Sequence, residues 1–173
     1  AAITASGSTT IVSGRNVVLT ASTGSSYIWK RGTTPVGTAQ SYTAAIAGSY
    51  TVEVTNANNC SATSSATNVI VNANQASVIT VTAPTPNATV VGAIDIAVDV
   101  TDADGTITLV EFLDGTDVIG TSTTAPYQFT WNNPTEGAHT IYVRVTDSNG
   151  GVTTSAATQV TSSSTTTGIQ SSN

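Results

Sequence analysis

The feature that most constrains this chain is that its two halves repeat each other, at a spacing of about 85 residues. Each half carries a strand-like run with an aromatic residue, then a turn that begins with glycine, and then a second glycine five residues later. The matching segments are GTTPVGT at 32–38 with GTDVIGT at 115–121, AGSYTV at 47–52 with EGAHTI at 136–141, and VTNANN at 54–59 with VTDSNG at 145–150. Two copies of one module is the simplest interpretation.

Hydrophobic residues within each half alternate with polar ones, which is the period of a half-buried β-strand. Examples are Val17, Leu19 and Ala21 in the first half and Ile141 and Val143 in the second. The composition agrees, because threonine and valine favour pleated strands and strong helix formers are scarce: the chain has 35 Thr but no Met, one Lys and three Glu. Turn signals separate these runs about every 8 to 12 residues. The pattern therefore predicts an all-β chain of two antiparallel β-sandwiches with roughly seven strands each.

The boundary between the halves lies in the polar stretch NANQAS at 72–77. We predict one sandwich over 1–73, a short hinge over 74–77 and a second sandwich over 78–162. The remaining residues, 163–173, form a Ser/Thr-rich tail. Linker-like composition already begins at Thr161, so we expect the chain to be disordered from that residue onwards.

The charge and cysteine counts exclude several classes of protein. Four basic residues against ten acidic ones give a net charge of -6, which leaves too few positive charges for a nucleic-acid interface. No apolar run reaches the ~18 residues of a membrane-spanning helix, so no membrane insertion is expected. The single cysteine, Cys60, excludes an internal disulfide and predicts a free thiol.

Residues 1–72 resemble the immunoglobulin-like repeats of large bacterial secreted and cell-surface proteins. The segments that carry the resemblance are ITASG at 3–7, VVLTA at 17–21, YIW at 27–29, GSYTV at 48–52 and NNCSAT at 58–63. Such repeats often carry a second cysteine near the position of Ile11 or Val12, which pairs with the one at the position of Cys60. That second cysteine is missing here, so the resemblance implies that the disulfide is lost.

Residues 78–162 are similar to the bacterial immunoglobulin-like domain that is frequently appended to secreted polysaccharide-degrading enzymes. The matching segments are VTDADGTI at 100–107, VEFLDG at 110–115, TAPY at 124–127, Trp131 and GAHT at 137–140. The tail also resembles the linker that precedes the sorting domain of type IX-secreted proteins. These resemblances imply two tandem immunoglobulin-like domains in an extracellular or cell-surface bacterial protein. They imply little about function, because the same fold serves many roles.

Four residues, two in each half, are expected to stabilise the sandwich to which they belong. Trp29 in the first half and Phe112 in the second occupy the aromatic core position. Tyr50 and His139 occupy matching positions near the start of the penultimate strand. Immunoglobulin-like sandwiches often hold a tyrosine there that bonds the backbone at a corner. We therefore interpret His139, the only histidine, as a structural corner residue and not as a catalytic one.

Nine of the ten carboxylates lie in the second half, and four of them fall near two loops that share one end of such a sandwich. Asp99, Asp102 and Asp104 cluster at the end of the second strand, and Asp147 begins the last hairpin. With the amide of Asn149 they would supply the hard oxygen ligands that Ca²⁺ prefers. The alternative is that these residues only form tight turns. Calcium is the one cofactor that the sequence suggests.

No arrangement of nucleophile, base and orienting residue is evident, and small sandwiches lack the deep cleft that glycosidase chemistry needs. We therefore expect no catalytic activity. The preferred interpretation is a structural module: a stalk, an adhesin or the subunit of a self-assembling extracellular fibre. Its partners are neighbouring modules or other copies of the chain. Residues 161–169 would add as a strand to a neighbouring copy, since exposed sheet edges accept such strands.

The alternative interpretation is an accessory module of a secreted polysaccharide-degrading enzyme, which acts as a spacer or binds glycan. The aromatic residues that would stack on sugar rings are Tyr27, Trp29, Tyr42, Tyr127, Trp131 and Tyr142. Trp29 is expected in the core, whereas Tyr142 is expected on the outer face because it is out of phase with Ile141 and Val143. An exposed row of aromatic residues would favour glycan binding, and their burial would favour the structural role.

Overall fold

The structure is a computed structural model that describes residues 1–164. The chain divides into two units, Ala1–Asn74 and Gln75–Asn173, each with its own hydrophobic core. The division therefore falls within the polar stretch 72–77. Every regular element among the described residues is a β-strand, so the predicted all-β fold is confirmed. In this part of the chain there is no helix of the length and hydropathy needed to cross a membrane.

The first unit consists of two sheets that enclose its core. Its strands are β1 (Ile3–Ala5), β2 (Thr10–Val12), β3 (Val17–Ala21), β4 (Ser26–Arg31), β5 (Thr34–Gly37), β6 (Ser41–Ala44), β7 (Gly48–Thr55), β8 (Ser61–Thr63) and β9 (Thr67–Asn72). The smaller sheet has the order β1-β3-β6. The larger sheet has the order β2-β9-β7-β4-β5, with β8 beside β7. All pairings are antiparallel except that of β2 with β9, which is parallel.

The second unit has the same topology, strand for strand. Its strands are β10 (Val78–Ala83), β11 (Ala88–Val91), β12 (Ile94–Thr101), β13 (Ile107–Asp114), β14 (Asp117–Ser122), β15 (Tyr127–Trp131), β16 (Gly137–Asp147), β17 (Val152–Thr154) and β18 (Thr158–Ser163). The smaller sheet has the order β10-β12-β15, and the larger sheet has the order β11-β18-β16-β13-β14, with β17 beside β16. The pairing of β11 with β18 is parallel. The two halves of the sequence therefore fold into two sandwiches of one design.

Each unit has nine strands among its described residues, where the spacing of turn signals predicted about seven. The first additional strand arises because the entering chain pairs in both sheets: β1 and β10 lie in the smaller sheets, and β2 and β11 lie in the larger ones. In the second unit the change of sheet occurs at Pro84 and Pro86, which have no N–H to contribute to a ladder. The second additional strand is the short β8 or β17, which pairs with the end of β7 or β16.

The alternation seen in the sequence places one side of each strand in a core. Trp29 and Leu19 are fully buried in the first unit, and Phe112 and Val143 are fully buried in the second. The indole N–H of Trp29 donates to the carbonyl oxygen of Ala39 at 2.9 Å, so the largest core residue buries no unpaired polar group. Trp29 and Phe112 thus lie at the centres of their sandwiches, where the sequence repeat aligned them.

The second glycine of each repeat makes room for an aromatic ring on another strand. A Cβ atom placed on Gly120 would lie 2.5 Å from the ring of Phe129, and one placed on Gly37 would lie 2.9 Å from the ring of Tyr42. Phe129 in turn stacks on Phe112, with ring centroids 5.7 Å apart. The repeated glycine therefore has a packing cause, because a side chain at this position would displace the ring that covers the core.

The start of the expected tail belongs to the second sandwich. Thr161, Ser162 and Ser163 complete β18 and pair with β11, and the first two of them also pair with β16. The expectation that a linker begins at Thr161 is therefore wrong. Strand addition to a neighbouring copy is also wrong for 161–163, because these residues are already paired within their own sheet. The rest of the expected tail, 165–173, lies outside the described residues.

Gly120→Ala is expected to destabilise the second unit by about 1–3 kcal/mol, because the added methyl group forces the Phe129 ring out of its packing. Denaturant unfolding followed by NMR signals of each unit measures this, and the first unit should unfold as in the wild type. Gly7→Ala is the matched control, since nothing lies within 4 Å of a Cβ atom at that position. An unchanged second-unit midpoint would contradict the packing account.

Candidate functional site

Three of the four carboxylates of the predicted calcium site lie at the end of β12 or in the loop that follows it. Asp99 lies on β12 with an exposed side chain. Asp102 accepts hydrogen bonds from the Ser77 hydroxyl at 2.8 Å and from the Asp104 backbone N–H at 3.2 Å. The carboxylate of Asp104 accepts the backbone N–H of Gln75 at 3.0 Å. Asp102 and Asp104 therefore bind the segment that leads into β10.

The fourth carboxylate, Asp147, begins the turn between β16 and β17 and is buried. It accepts the backbone N–H groups of Asn149 at 2.7 Å and Gly151 at 2.9 Å, the bonding of an Asx-type turn. The Asn149 amide donates to the backbone carbonyl of Asp104 at 3.2 Å, so the two loops meet. Within residues 1–164, no three acidic, histidine or cysteine side chains are grouped so as to hold a metal ion. Calcium binding stays a prediction.

Tyr50 and His139 hold the same corner in the two units. Tyr50 is fully buried and donates its hydroxyl to the carbonyl oxygen of Ile46 at 2.7 Å. Burial and the neighbouring Tyr42 raise the pKa of Tyr50 above its ordinary value, so the hydroxyl keeps its proton. His139 is also buried, and its Nε2 lies 2.7 Å from the carbonyl oxygen of Thr135. In both units the acceptor lies four residues upstream, so the ring ties the long strand to the connection before it.

His139 makes a second bond that Tyr50 has no atom to make. Its Nδ1 lies 2.7 Å from Oδ2 of Asp114, whose other oxygen accepts the backbone N–H of Thr140 at 3.1 Å. Both ring nitrogens face acceptors, so the doubly protonated imidazolium satisfies both bonds. Burial lowers the pKa of His139, but the bonds to the Thr135 carbonyl and the Asp114 carboxylate together outweigh it. The pKa is therefore raised above its ordinary value.

Cys60 is a free and exposed thiol that follows the turn between β7 and β8. The side-chain oxygen of Asn56 accepts the backbone N–H groups of Asn58 at 2.9 Å and Cys60 at 3.0 Å. Asn59 lies between them with a φ of 58°, in the left-handed region that asparagine tolerates well. The surroundings of Cys60 are therefore those of a tight turn stabilised by Asn56.

The aromatic residues do not form an exposed row on the described surface. Trp29, Tyr50 and Phe112 are fully buried. Five more pack against the cores: Tyr27, Tyr42, Tyr127, Phe129 and Trp131. In the described part of the chain, Tyr142 is the one aromatic residue that belongs to neither core. It is half-buried on β16, opposite Leu113 on β13.

An ion pair that was not predicted from the sequence lies on the same face. Arg144 donates from Nε to one oxygen of Glu111 at 2.6 Å and from Nη2 to the other at 2.9 Å. The hydrogen bonds from Arg144 hold the pKa of Glu111 below its usual range, so the carboxylate is ionised. The two residues are 33 positions apart, and only the register of β13 on β16 brings them together. The only sequence signal for this ion pair was that Glu111 and Arg144 carry opposite charges on two predicted strands.

Comparison with known protein families agrees with this fold. Residues 78–143 match the family model described as a bacterial Ig domain, and residues 1–71 match the model described as a PKD domain. The two units thus match different family models, although their strand topology is the same. Among curated protein sequences, no significant match to the chain is found.

Among solved structures, the chain is similar to the fibronectin(III)-like modules of Clostridium thermocellum CbhA. That likeness has 23% identity and a TM-score of 0.55, and it covers 94% of each chain. Murine CEACAM1b also matches, with 14% identity, a TM-score of 0.43, and coverage of 94% of this chain and 99% of that one. At 23% identity the likeness to the CbhA modules concerns the fold alone.

The fold and the family matches define the class of protein. The chain consists of two tandem immunoglobulin-like β-sandwiches, of which the second matches the bacterial Ig model and the first matches the PKD model. Domains of these families are typically extracellular structural or appended modules, and they are generally non-catalytic.

The raised pKa of His139 predicts how the stability of the second unit depends on pH. The stabilisation from charged His139 is fully present below its ordinary pKa of 6.5 and is lost as the pH rises through the higher pKa of the folded state. Asp114→Asn removes the carboxylate that pairs with His139. It is therefore expected to lower the pKa of His139 and to destabilise the second unit by about 1–3 kcal/mol at a pH of about 6. NMR titration of the imidazole signal measures this without ambiguity, because the chain has one histidine.

Asp117→Asn is the matched control for this experiment. It removes one carboxylate from the same β13–β14 hairpin, where Asp117 lies opposite Asp114, but it leaves the bond to His139 in place. The expected result is a much smaller change in the pKa of His139. A wild-type pKa at or below 6.5, or equal effects of the two substitutions, would show that the ion pair does not control this group.

Proposed function

We propose that the chain is a non-catalytic structural module of an extracellular stalk, adhesive array or fibre at the bacterial surface. Its partners are neighbouring modules of the same protein or further copies of itself. The observation that carries the proposal is the parallel pairing of the second strand of each unit with its last strand, β2 with β9 and β11 with β18. A module in such an assembly has to transmit tension between the points where the chain enters and leaves it.

The parallel pairing determines how each unit responds to tension. In the first unit β2 pairs with β9 through Thr10–Ile70, Ile11–Val71 and Val12–Asn72. In a parallel pair, the end where the first strand enters and the end where the last strand leaves lie at opposite ends of the pair. Tension on the termini therefore slides one strand along the other and loads all the hydrogen bonds together. Antiparallel terminal strands would instead open one bond at a time.

The second unit has the longer pairing of this kind. β11 pairs with β18 over four residues, from Ala88–Val160 to Val91–Ser163. The backbone N–H of Asn87 extends the ladder with a bond to the carbonyl oxygen of Gln159 at 2.7 Å. Beyond the strand end, the backbone N–H of Ser164 donates to the Glu136 carboxylate at 3.1 Å. We therefore expect the second unit to resist tension better than the first.

Single-molecule force spectroscopy on the two-unit chain tests this role. We expect two unfolding events per molecule, with the first unit unfolding at the lower force because its terminal pairing has three register pairs and not four. Ile70→Pro removes the N–H that Ile70 donates to the carbonyl oxygen of Thr9 at 2.9 Å. Loss of a bond worth about 1 kcal/mol is expected to raise the forced unfolding rate of the first unit about fivefold.

The second unit of the same molecule is the control in this experiment, because Ile70→Pro does not touch it and its unfolding force should not change. The mechanical proposal fails if the wild-type units unfold without a measurable force peak. It also fails if Ile70→Pro leaves the forced unfolding rate of the first unit as it was. Either result would favour the alternative that the chain is an accessory spacer beside a polysaccharide-degrading enzyme.

A further inference from the structure

The second unit carries a groove on the outer face of its larger sheet, on the side of β13 and β16 opposite to the core. The groove has a volume of about 440 Å³. Its lining residues are Leu113, Gly115, Thr116, Tyr142, Arg144 and Thr154. A volume of this size lies within the range of roughly 300–1,000 Å³ that is typical of ligand sites. The corner and core described above use none of these side chains.

The floor of the groove is apolar. Leu113 and Tyr142 lie opposite each other in the register of β13 and β16. Leu113 is only 5% exposed, although it belongs to neither core. Tyr142 lies beside it as the one described aromatic residue outside both cores. An apolar floor with an aromatic side chain, bordered by a few polar groups, is the usual composition of a ligand site.

The wall of the groove is polar and held in a fixed geometry. Arg144 is bound to Glu111 through two hydrogen bonds, at 2.6 and 2.9 Å, so its planar guanidinium group does not rotate freely. These bonds use two of its five N–H donors and leave three for a ligand. Thr154 lies opposite Arg144 on β17, and Thr116 lies in the turn after β13. Donors and hydroxyl groups therefore line the groove beside its apolar floor.

We propose that this groove binds a neutral hexose polysaccharide. A pyranose ring has an apolar face of C–H groups, which suits the ring of Tyr142, and an edge of hydroxyl groups, which suits the N–H donors of Arg144. The charge of the second unit selects against acidic polymers. The unit carries nine carboxylates against Arg144 and His139, which are paired with Glu111 and Asp114, so an anionic chain would be repelled.

The first unit provides an internal comparison. The buried pairs Trp29–Val52 and Phe112–Val143 occupy the same place in the two sheets, and the next register pair is Lys30–Thr51 in the first unit and Leu113–Tyr142 in the second. The first unit therefore has a charged residue and a threonine where the second has the apolar floor. We expect the glycan site in the second unit alone. The proposal does not depend on the mechanical role described above.

Affinity electrophoresis in gels that contain mixed-linkage β-glucan, galactomannan or starch tests the proposal, with polygalacturonate as the anionic comparison. We expect at least one of the three neutral polymers to retard the two-unit chain and polygalacturonate to have no effect. Tyr142→Thr installs the residue that the first unit carries at this position, and it is expected to weaken binding at least about tenfold. Thr51→Ala, the matched substitution in the first unit, should leave binding unchanged.

Tyr142→Phe separates stacking by the ring from an effect on folding, because it keeps the ring and removes only the hydroxyl. We expect this variant to retain binding. The proposal is overturned if none of the three neutral polymers retards the chain, or if only polygalacturonate does. Equal retardation of the wild type and of Tyr142→Thr would also overturn it, because the polymer would then bind elsewhere on the chain.

Discussion

The structure of each unit depends on one constraint: the first two strands of the entering chain pair in different sheets of its sandwich. β1 and β10 complete the smaller sheets, and β2 and β11 then complete the larger ones beside the last strand of the unit. A sandwich of this size has a small core and little stability to spare. The change of sheet adds backbone hydrogen bonds to both layers and covers the last strand on its outer side. The same arrangement creates the parallel pair that tension would load.

The two units solve the same structural problems with different chemistry. At the corner, Tyr50 makes one neutral hydrogen bond, whereas His139 makes two bonds and forms an ion pair with Asp114. On the outer face, Lys30 and Thr51 in the first unit correspond to Leu113 and Tyr142 in the second. The strand topology is therefore shared. The second unit has three additional features: the His139–Asp114 pair at the corner, most of the acidic residues, and the groove.

Much of this fold was predictable from the sequence, because local periodicity and an internal repeat both report on strands. The aligned positions of Trp29 and Phe112 and the alternation around them predicted two sandwiches with aromatic cores. The residue at which the second unit ends could not be predicted from composition. Threonine and serine are frequent in the strands of this chain as well as in its tail, so the Ser/Thr-rich composition from Thr161 onwards was interpreted as disorder. Their pairing with β11 joins segments far apart in sequence.

The groove and the ion pair were not predictable for a related reason. Tyr142 was expected on the outer face, but its neighbours are set by the register of β13 on β16, which no local pattern specifies. The same register brings Glu111 to Arg144. The acidic residues were interpreted from their types and spacing as a calcium site, which stays a prediction. In the structure Asp102 and Asp147 accept backbone N–H groups of their own loops.

The central claim is that the parallel pairing of the terminal strands is an integral part of each sandwich. Native-state hydrogen exchange tests it most directly, at the amides of Ile70 and Asn87, which donate across the two parallel pairs to Thr9 and Gln159. We expect both amides to exchange only when their whole unit unfolds, with the same opening free energy as the central strands β7 and β16. Exchange of these amides with an opening free energy near zero, while β7 and β16 stay protected, would contradict it.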